Sequence, residues 1–173
     1  MMKESKPDIV FVCVNELSTY KVLKTLRKFK CVCLIEKPVG LNFYESQKIL
    51  ELKKNEKFYP FVALNRRFYS SVLNAKNLLK KDNSKRVIKI FDQEDTIAVK
   101  KLGRPLKVVK NWMFANSIHM IDFINIFARG KIKKIIKVDK IDVKNFLKEG
   151  VISCKLLFSS GDIVYYFCFW NRP

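Results

Sequence analysis

The chain has 173 residues, 35 Lys plus Arg against 16 Asp plus Glu, and a formal net charge of +19. Apolar residues at 49% and aromatic residues at 13% exclude a disordered basic tail and supply enough apolar surface for a core. A nucleic-acid binder needs its cations gathered against phosphates, but 28 of these cations are Lys, 7 are Arg, and the Lys scatter from Lys3 to Lys155 without a dominant block. No nucleic-acid partner is expected from the charge. The five Cys (Cys13, Cys31, Cys33, Cys154, Cys168) are an odd number and no secretory signal precedes them. The first apolar run, Ile9 to Val14, is too short for a signal core or a membrane span, so no membrane partner is expected. Cys31-Val32-Cys33 lacks the CxxC spacing of metal and redox sites, and one His leaves few ligands; no metal is expected. Each Cys lies in an apolar stretch and reads as a small buried side chain, which fits a reducing, cytoplasmic compartment.

Asp8 to Val14 is a nearly continuous apolar run, the pattern of a strand buried on both faces of a parallel sheet. Asn15-Glu16-Leu17-Ser18 breaks it, and Leu17, Tyr20, Leu23 and Leu26 recur at helical spacing with Lys21, Lys24 and Lys28 facing out. Cys31 to Ile35 is a second buried strand, ended by Glu36-Lys37-Pro38-Val39-Gly40. Asn42 and Glu45 have capping-box spacing and open a helix through about Lys54. Phe61 to Leu64 is a third buried run, so strand and helix alternate as βαβ units with right-handed crossovers.

The pattern changes after Asn65-Arg66-Arg67-Phe68. Tyr69 to Lys81 reads as an amphipathic helix, Arg86 to Phe91 as a strand, and the stretch with Gly103 and Pro105 as an irregular charged loop. Asn116 to Phe127 is helical, with Ile118, Ile121, Ile124 and Phe127 on one face and Arg129-Gly130 as its stop. Three strands follow: Ile132 to Val143, Val151 to Phe158 and Ile163 to Trp170, the last two joined as a hairpin by Ser159 to Asp162. Alternation of Ile152, Cys154, Leu156 and Phe158 with smaller or charged residues leaves one strand face solvated. Lys131 to Lys137 reads as a half-buried strand whose Lys face points to water, and Phe167 to Trp170 as core or subunit contact.

Chemistry concentrates at Glu36-Lys37-Pro38. Open α/β sheets bind ligands at the carboxyl ends of their strands, where a Lys can orient a hydroxyl and ease its deprotonation. A Glu there can hydrogen-bond a ribose, while Pro ends the strand. His119 is the side chain best suited to proton transfer near neutral pH.

Five features in order resemble the Gfo/Idh/MocA oxidoreductases, the family of glucose-fructose oxidoreductase and inositol dehydrogenase. They are the Asp8–Asn15 strand and turn, Glu36-Lys37-Pro38, the capped helix, Asn65-Arg66-Arg67-Phe68, and His119-Met-Ile-Asp122 followed by Gly130. The resemblance implies an α/β fold: the C-terminal part of a Rossmann-like parallel sheet (residues 1–66), then an incomplete α+β domain with a mixed, largely antiparallel sheet (67–173). It implies hydride transfer between NAD or NADP and a hydroxyl of a sugar, cyclitol or nucleotide sugar. Lys37 and His119 would be catalytic, Lys37 touching the substrate hydroxyl and His119 joining its proton relay. Asn15, Glu36 and Pro38 would line the cofactor, with Arg66, Asn116 and Asp122 toward the substrate. Homo-oligomers through the C-terminal sheet are implied as well.

Three features depart from the family pattern. No G-x-G-x-x-G turn occurs, and the five glycines are dispersed, so the pyrophosphate has no visible cradle. The first strand corresponds to the fourth of the family's sheet, and the end at Trp170 to Pro173 falls short of its second domain; a fragment with little activity alone is expected. Ala115 stands four residues before His119, where many members have Asp, with Asn116 the nearest polar substitute. The alternative to an enzyme is a non-catalytic module of the same fold whose basic surface meets an anionic partner.

Overall fold

A computed structural model describes residues 2–53, 58–141 and 149–171. The chain divides into two compact units, Met1–Leu64 with Met113–Asn116, and Asn65–Trp112 with Ser117–Pro173.

In the first unit a short helix α1 (Met2–Ser5) precedes β1 (Ile9–Val12), α2 (Thr19–Leu26), β2 (Cys31–Ile35), α3 (Phe43–Leu52) and β3 (Phe58–Val62). The strands form a parallel sheet in the order β1-β2-β3, with Val12 opposite Ile35 and Ile35 opposite Val62. Their carboxyl ends therefore lie along one edge. Leu23 and Leu26 of α2 and Ile49 and Leu52 of α3 share one core with Val12, Cys31, Cys33, Ile35 and Phe58. Each such aliphatic or aromatic side chain contributes roughly 1.5–3 kcal/mol when buried.

Among the described residues only one sheet face is covered, contrary to the two-faced burial that the apolar runs predict. Ile9 and Phe11 are 56% and 69% exposed, and Tyr59 and Phe61 are exposed too, because α2 and α3 both pack on the opposite face. The third strand also starts earlier than its apolar run suggests. Pro60 interrupts the pattern but is tolerated because β3 is an edge strand. Leu17 is exposed ahead of α2, since Asn15 Oδ1 accepts from the Leu17 main-chain N at 2.8 Å and delays the helix.

The capping box of α3 forms as its spacing predicts. Asn42 Oδ1 accepts from Glu45 N at 2.8 Å, and Glu45 Oε2 accepts from Leu41 N at 3.0 Å, one residue before the usual donor. Gly40 is required by close approach: a Cβ there would lie 2.7 Å from Ser46 N of the same helix. The predicted continuation to Lys54 lies outside the described residues.

The second unit opens with a 3-10 turn (Asn65–Phe68), α4 (Ser70–Leu79) and β4 (Val87–Glu94). In α4 only Val72 is buried, while Leu73 and Leu78 are exposed, so the helix is less amphipathic in burial than in sequence. The predicted irregular loop contains two short helices, α5 (Thr96–Lys101) and α6 (Leu106–Val109). Asp95 Oδ1 caps α5 through Ala98 N at 2.7 Å, Gly103 takes φ +80° beyond its end, and Val108 and Val109 are fully buried. A π turn (Met113–Ser117) leads into α7 (Ile118–Phe127). Buried residues of α7 are His119, Asp122 and Ile124, so the predicted Ile stripe is not its most buried row.

Strands β5 (Ile132–Ile141), β6 (Gly150–Phe158) and β7 (Ile163–Trp170) complete a mixed sheet of order β4-β7-β6-β5, in which β4 runs parallel to β7 and the other pairs are antiparallel. The predicted end of β5, Asp142 and Val143, lies outside the described residues, as do Arg172 and Pro173. On β7, Val164, Tyr166, Cys168 and Trp170 face the core, while Phe167 and Phe169 share the other face with Phe91, whose ring stacks on Phe167 at 5.3 Å. The basic stretch 131–137 on the edge strand β5 is exposed along its length, its Ile only in part, with Ile132 at 51% and Ile136 at 44%. Cys13 likewise departs from the expected burial and is exposed, whereas Cys31, Cys33 and Cys168 are buried and all five thiols are free. Among the described residues no helix is long and apolar enough to cross a membrane.

Candidate functional site

In the first unit the carboxyl edge of the parallel sheet gathers the residues that follow its strands. Glu36, directly after β2, donates its main-chain N to Val12 O at 3.0 Å and leaves its side chain exposed. Asn15 follows β1 at the same edge and is exposed, its Oδ1 engaged by Leu17 N. Pro38 is buried after a cis Lys37-Pro38 peptide bond.

Lys37 is half-buried, and its Nζ donates to Ala115 O at 2.9 Å and to Asn116 Oδ1 at 3.3 Å. An ammonium offers three donors and holds its charge best among oxygen acceptors. The tether fixes a flexible side chain at this edge that can give a proton. The sequence singles out Lys37 and Asn116 separately, and the structure brings them together. The main-chain acceptor at Ala115 has no signature in any side chain.

In the second unit α7 carries His119 and Asp122, each 5% exposed. Asp122 is held by a bidentate pair from Arg67, Nε to Oδ2 at 2.5 Å and Nη2 to Oδ1. That hydrogen bond raises the Arg67 guanidinium further above its ordinary range. Arg66 directs Nη1 toward Met120 Sδ at 3.8 Å. Asp122 and Arg66 thus both have protein partners, and Arg67 is a residue whose role the sequence did not single out.

A buried polar chain runs beside α7 on the inner face of the mixed sheet. Glu94 accepts from Trp112 Nε1 at 2.5 Å and, through its other oxygen, from Ser117 Oγ at 3.5 Å. Ser117 Oγ lies 3.7 Å from Cys168 Sγ, and Asp92 Oδ2 accepts from Cys168 at 3.4 Å and from Tyr166 Oη at 2.7 Å. Burial, with the Asp92 charge next, pushes the Cys168 thiol up to about 12, and burial raises the Tyr166 hydroxyl well above its usual range. The signal for this cluster was available in sequence: Ile90, Asp92 and Glu94 share one strand face, so two carboxylates occupy core positions. Among the described residues no group of three or more His, Cys, Asp or Glu could hold a metal ion.

No known family's sequence profile matches the chain, and no curated protein is similar to it in sequence. Solved structures are similar in fold. A dehydrogenase from Chromobacterium violaceum matches with a TM-score of 0.76 at 16% identity, over 99% of this chain and 50% of its own. The WlbA dehydrogenase from the same organism, solved in complex with NADH and UDP-GlcNAcA, matches at 0.69 and 12%, over 97% and 50%. The UDP-N-acetylglucosamine 3-dehydrogenase GnnA from Acidithiobacillus ferrooxidans matches at 0.69 and 12%, over 98% and 53%. These are dehydrogenases of the type the sequence resembles, and the chain has the fold of the matched part of them. It spans about half the length of each.

Proposed function

We propose that the chain carries the nicotinamide-facing edge of a dinucleotide-binding sheet (residues 1–66) and a substrate-side α+β domain (67–173) of an NAD(P)-dependent oxidoreductase. Its substrate class is a sugar, cyclitol or nucleotide sugar bearing a reactive hydroxyl. The observation that carries this reading is Lys37, tethered by two oxygen acceptors at the carboxyl edge of a parallel sheet, where α/β folds bind ligands. The dehydrogenase fold supports it, as does the WlbA complex with a nicotinamide and a nucleotide sugar.

The residues present fit one end of the cofactor only. Exposed Asn15 and Glu36 offer the donors and acceptors that a nicotinamide ribose needs, beside buried Pro38. No glycine-rich turn in the 173 residues suits a pyrophosphate. A bound nicotinamide would accept the hydride. The chain's own residues handle the proton: Lys37 orients the hydroxyl and stabilises its developing negative charge, and His119 receives the proton. Asn116 positions Lys37, Arg66 and Asp122 shape the substrate side, and the protein works as a cytoplasmic homo-oligomer.

The test is NAD(P)H formation at 340 nm with millimolar NAD or NADP and a panel of inositols and UDP-sugars. Slow turnover that disappears in Lys37→Ala is expected. Absence of Lys37-dependent turnover across the panel overturns the reading.

A further inference from the structure

The turn that holds Lys37 is itself bracketed by one carboxylate. Glu94, the last residue of β4, is 7% exposed and accepts from Trp112 Nε1 at 2.5 Å and from Ser117 Oγ at 3.5 Å. Trp112 and Ser117 immediately flank Met113–Asn116, the four residues that contain both acceptors of Lys37 Nζ, Ala115 O and Asn116 Oδ1. The stretch is π-helical, a wide turn that occurs mostly as a single insertion and often at functional positions. Such a turn interrupts the regular α-helical ladder ahead of α7, so side-chain contacts at its two ends help to set its course.

We propose that Glu94 is a positioning residue for Lys37: by accepting from the side chain just before the π turn, Trp112, and from its last residue, Ser117, it sets where the Ala115 carbonyl and the Asn116 amide stand. The inference rests on the reading of Lys37 given above for its functional meaning, though not for its geometry. Both carboxylate oxygens are needed because each has its own donor. A Gln of the same size keeps one acceptor and presents an NH2 group to the other donor. Asp92, two residues earlier on the same buried strand face, is a matched control. It is likewise a carboxylate in a buried polar cluster, but its partners are Tyr166 and Cys168, not Trp112 and Ser117.

The experiment is peptide-resolved amine labelling of the full chain, with the other lysines as internal standards, in wild type, Glu94→Gln and Asp92→Asn. Loss of one anchoring hydrogen bond is expected to raise the Lys37 labelling rate about threefold to tenfold in Glu94→Gln, with the other lysines unchanged and Lys37 unchanged in Asp92→Asn. Trp112→Phe, which keeps the packed ring but removes the donor, is expected to shift Lys37 in the same direction and serves if Glu94→Gln does not fold. Unchanged Lys37 labelling in the folded variant, or an equal rise in Asp92→Asn, overturns the proposal. Labelling needs no turnover, so a chain with no dehydrogenase activity would overturn the functional reading and leave this result readable.

Discussion

Lys37 Nζ donates to the main-chain carbonyl of Ala115 at 2.9 Å, at the position where an acid four residues before His119 is common in the family the sequence resembles. A backbone acceptor holds the ammonium without taking its proton, so the tether survives substitutions of the Ala115 side chain. Lys37→Ala is expected to lower kcat by at least about a hundredfold, the scale of a positioned proton-transfer group. Asn116→Ala removes the longer contact and should lower kcat about threefold to tenfold. Steady-state NAD(P)H formation checks both, with circular dichroism confirming the fold.

Affinity for the cofactor should be poor even where turnover is seen. The ribose end has Asn15 and Glu36, but nothing among these residues aims a glycine-rich turn at the pyrophosphate. Titration of NADH fluorescence with this chain is expected to show no saturation in the micromolar range. Saturation at micromolar NADH would show that other groups carry the phosphates.

The legible parts of this fold are those whose determinants are local. Asn42 and Glu45 mark the start of α3, and the hairpin turn and alternation mark β7 from Ile163 to Trp170. Burial of a sheet face is a different matter, because it depends on what covers it: the apolar residues of β1 read the same whether or not helices lie over Ile9 and Phe11. The α5 and α6 helices are not legible in the sequence although Asp95 is a good cap, since their few residues give no period to read. At the candidate site, Lys37 and Asn116 were legible as residue types. The Ala115 carbonyl was not, because a main-chain acceptor has no sequence signature.

Asp162 ties the β6–β7 hairpin to the end of α7. It is fully buried and accepts from Arg129 Nε at 3.0 Å, Arg129 Nη2 at 2.7 Å, and the main-chain N of Arg86 and Arg129. The Arg129 guanidinium is the chief reason its carboxyl lies well below the usual carboxylate range. With the folded-state value depressed, the stabilisation is complete above the unfolded value of about 3.9 and is lost as pH falls toward the lower folded value. Asp162→Ala should cost roughly 2–3 kcal/mol at pH 7. Urea unfolding against pH should show the gap between variant and wild type closing below about pH 4.

Thiol reactivity should separate one cysteine from the rest. Cys13 is exposed, whereas burial, with Cys31 beside it, pushes the Cys33 thiol up to about 12, and burial pushes Cys168 to about 12 and raises Cys154. The thiolate is the nucleophile, so at pH 8 Cys13 should alkylate about a hundredfold faster than Cys33 or Cys168. Iodoacetamide labelling resolved by peptide checks this, with uniform labelling expected in denaturant. Equal rates in the native chain would mean that Cys33 and Cys168 are not enclosed.

The open face of the mixed sheet bears on the proposed homo-oligomer. Phe91, 61% exposed, stacks on Phe167 at 5.3 Å, and Phe167 lies 6.5 Å from Phe169, so an aromatic row crosses β4 and β7 without a covering layer among the described residues. Apolar area of this kind favours association, and a second copy of the sheet would bury it. A cation in the row would have to be desolvated in any such contact, which costs more than one aromatic pair contributes. Phe91→Lys is the suitable variant because its side chain already reaches solvent and the fold should tolerate it. Sedimentation velocity is expected to show wild type above the mass of one chain and Phe91→Lys at that mass. Wild type sedimenting as a single chain at tens of micromolar would remove this face from the assembly.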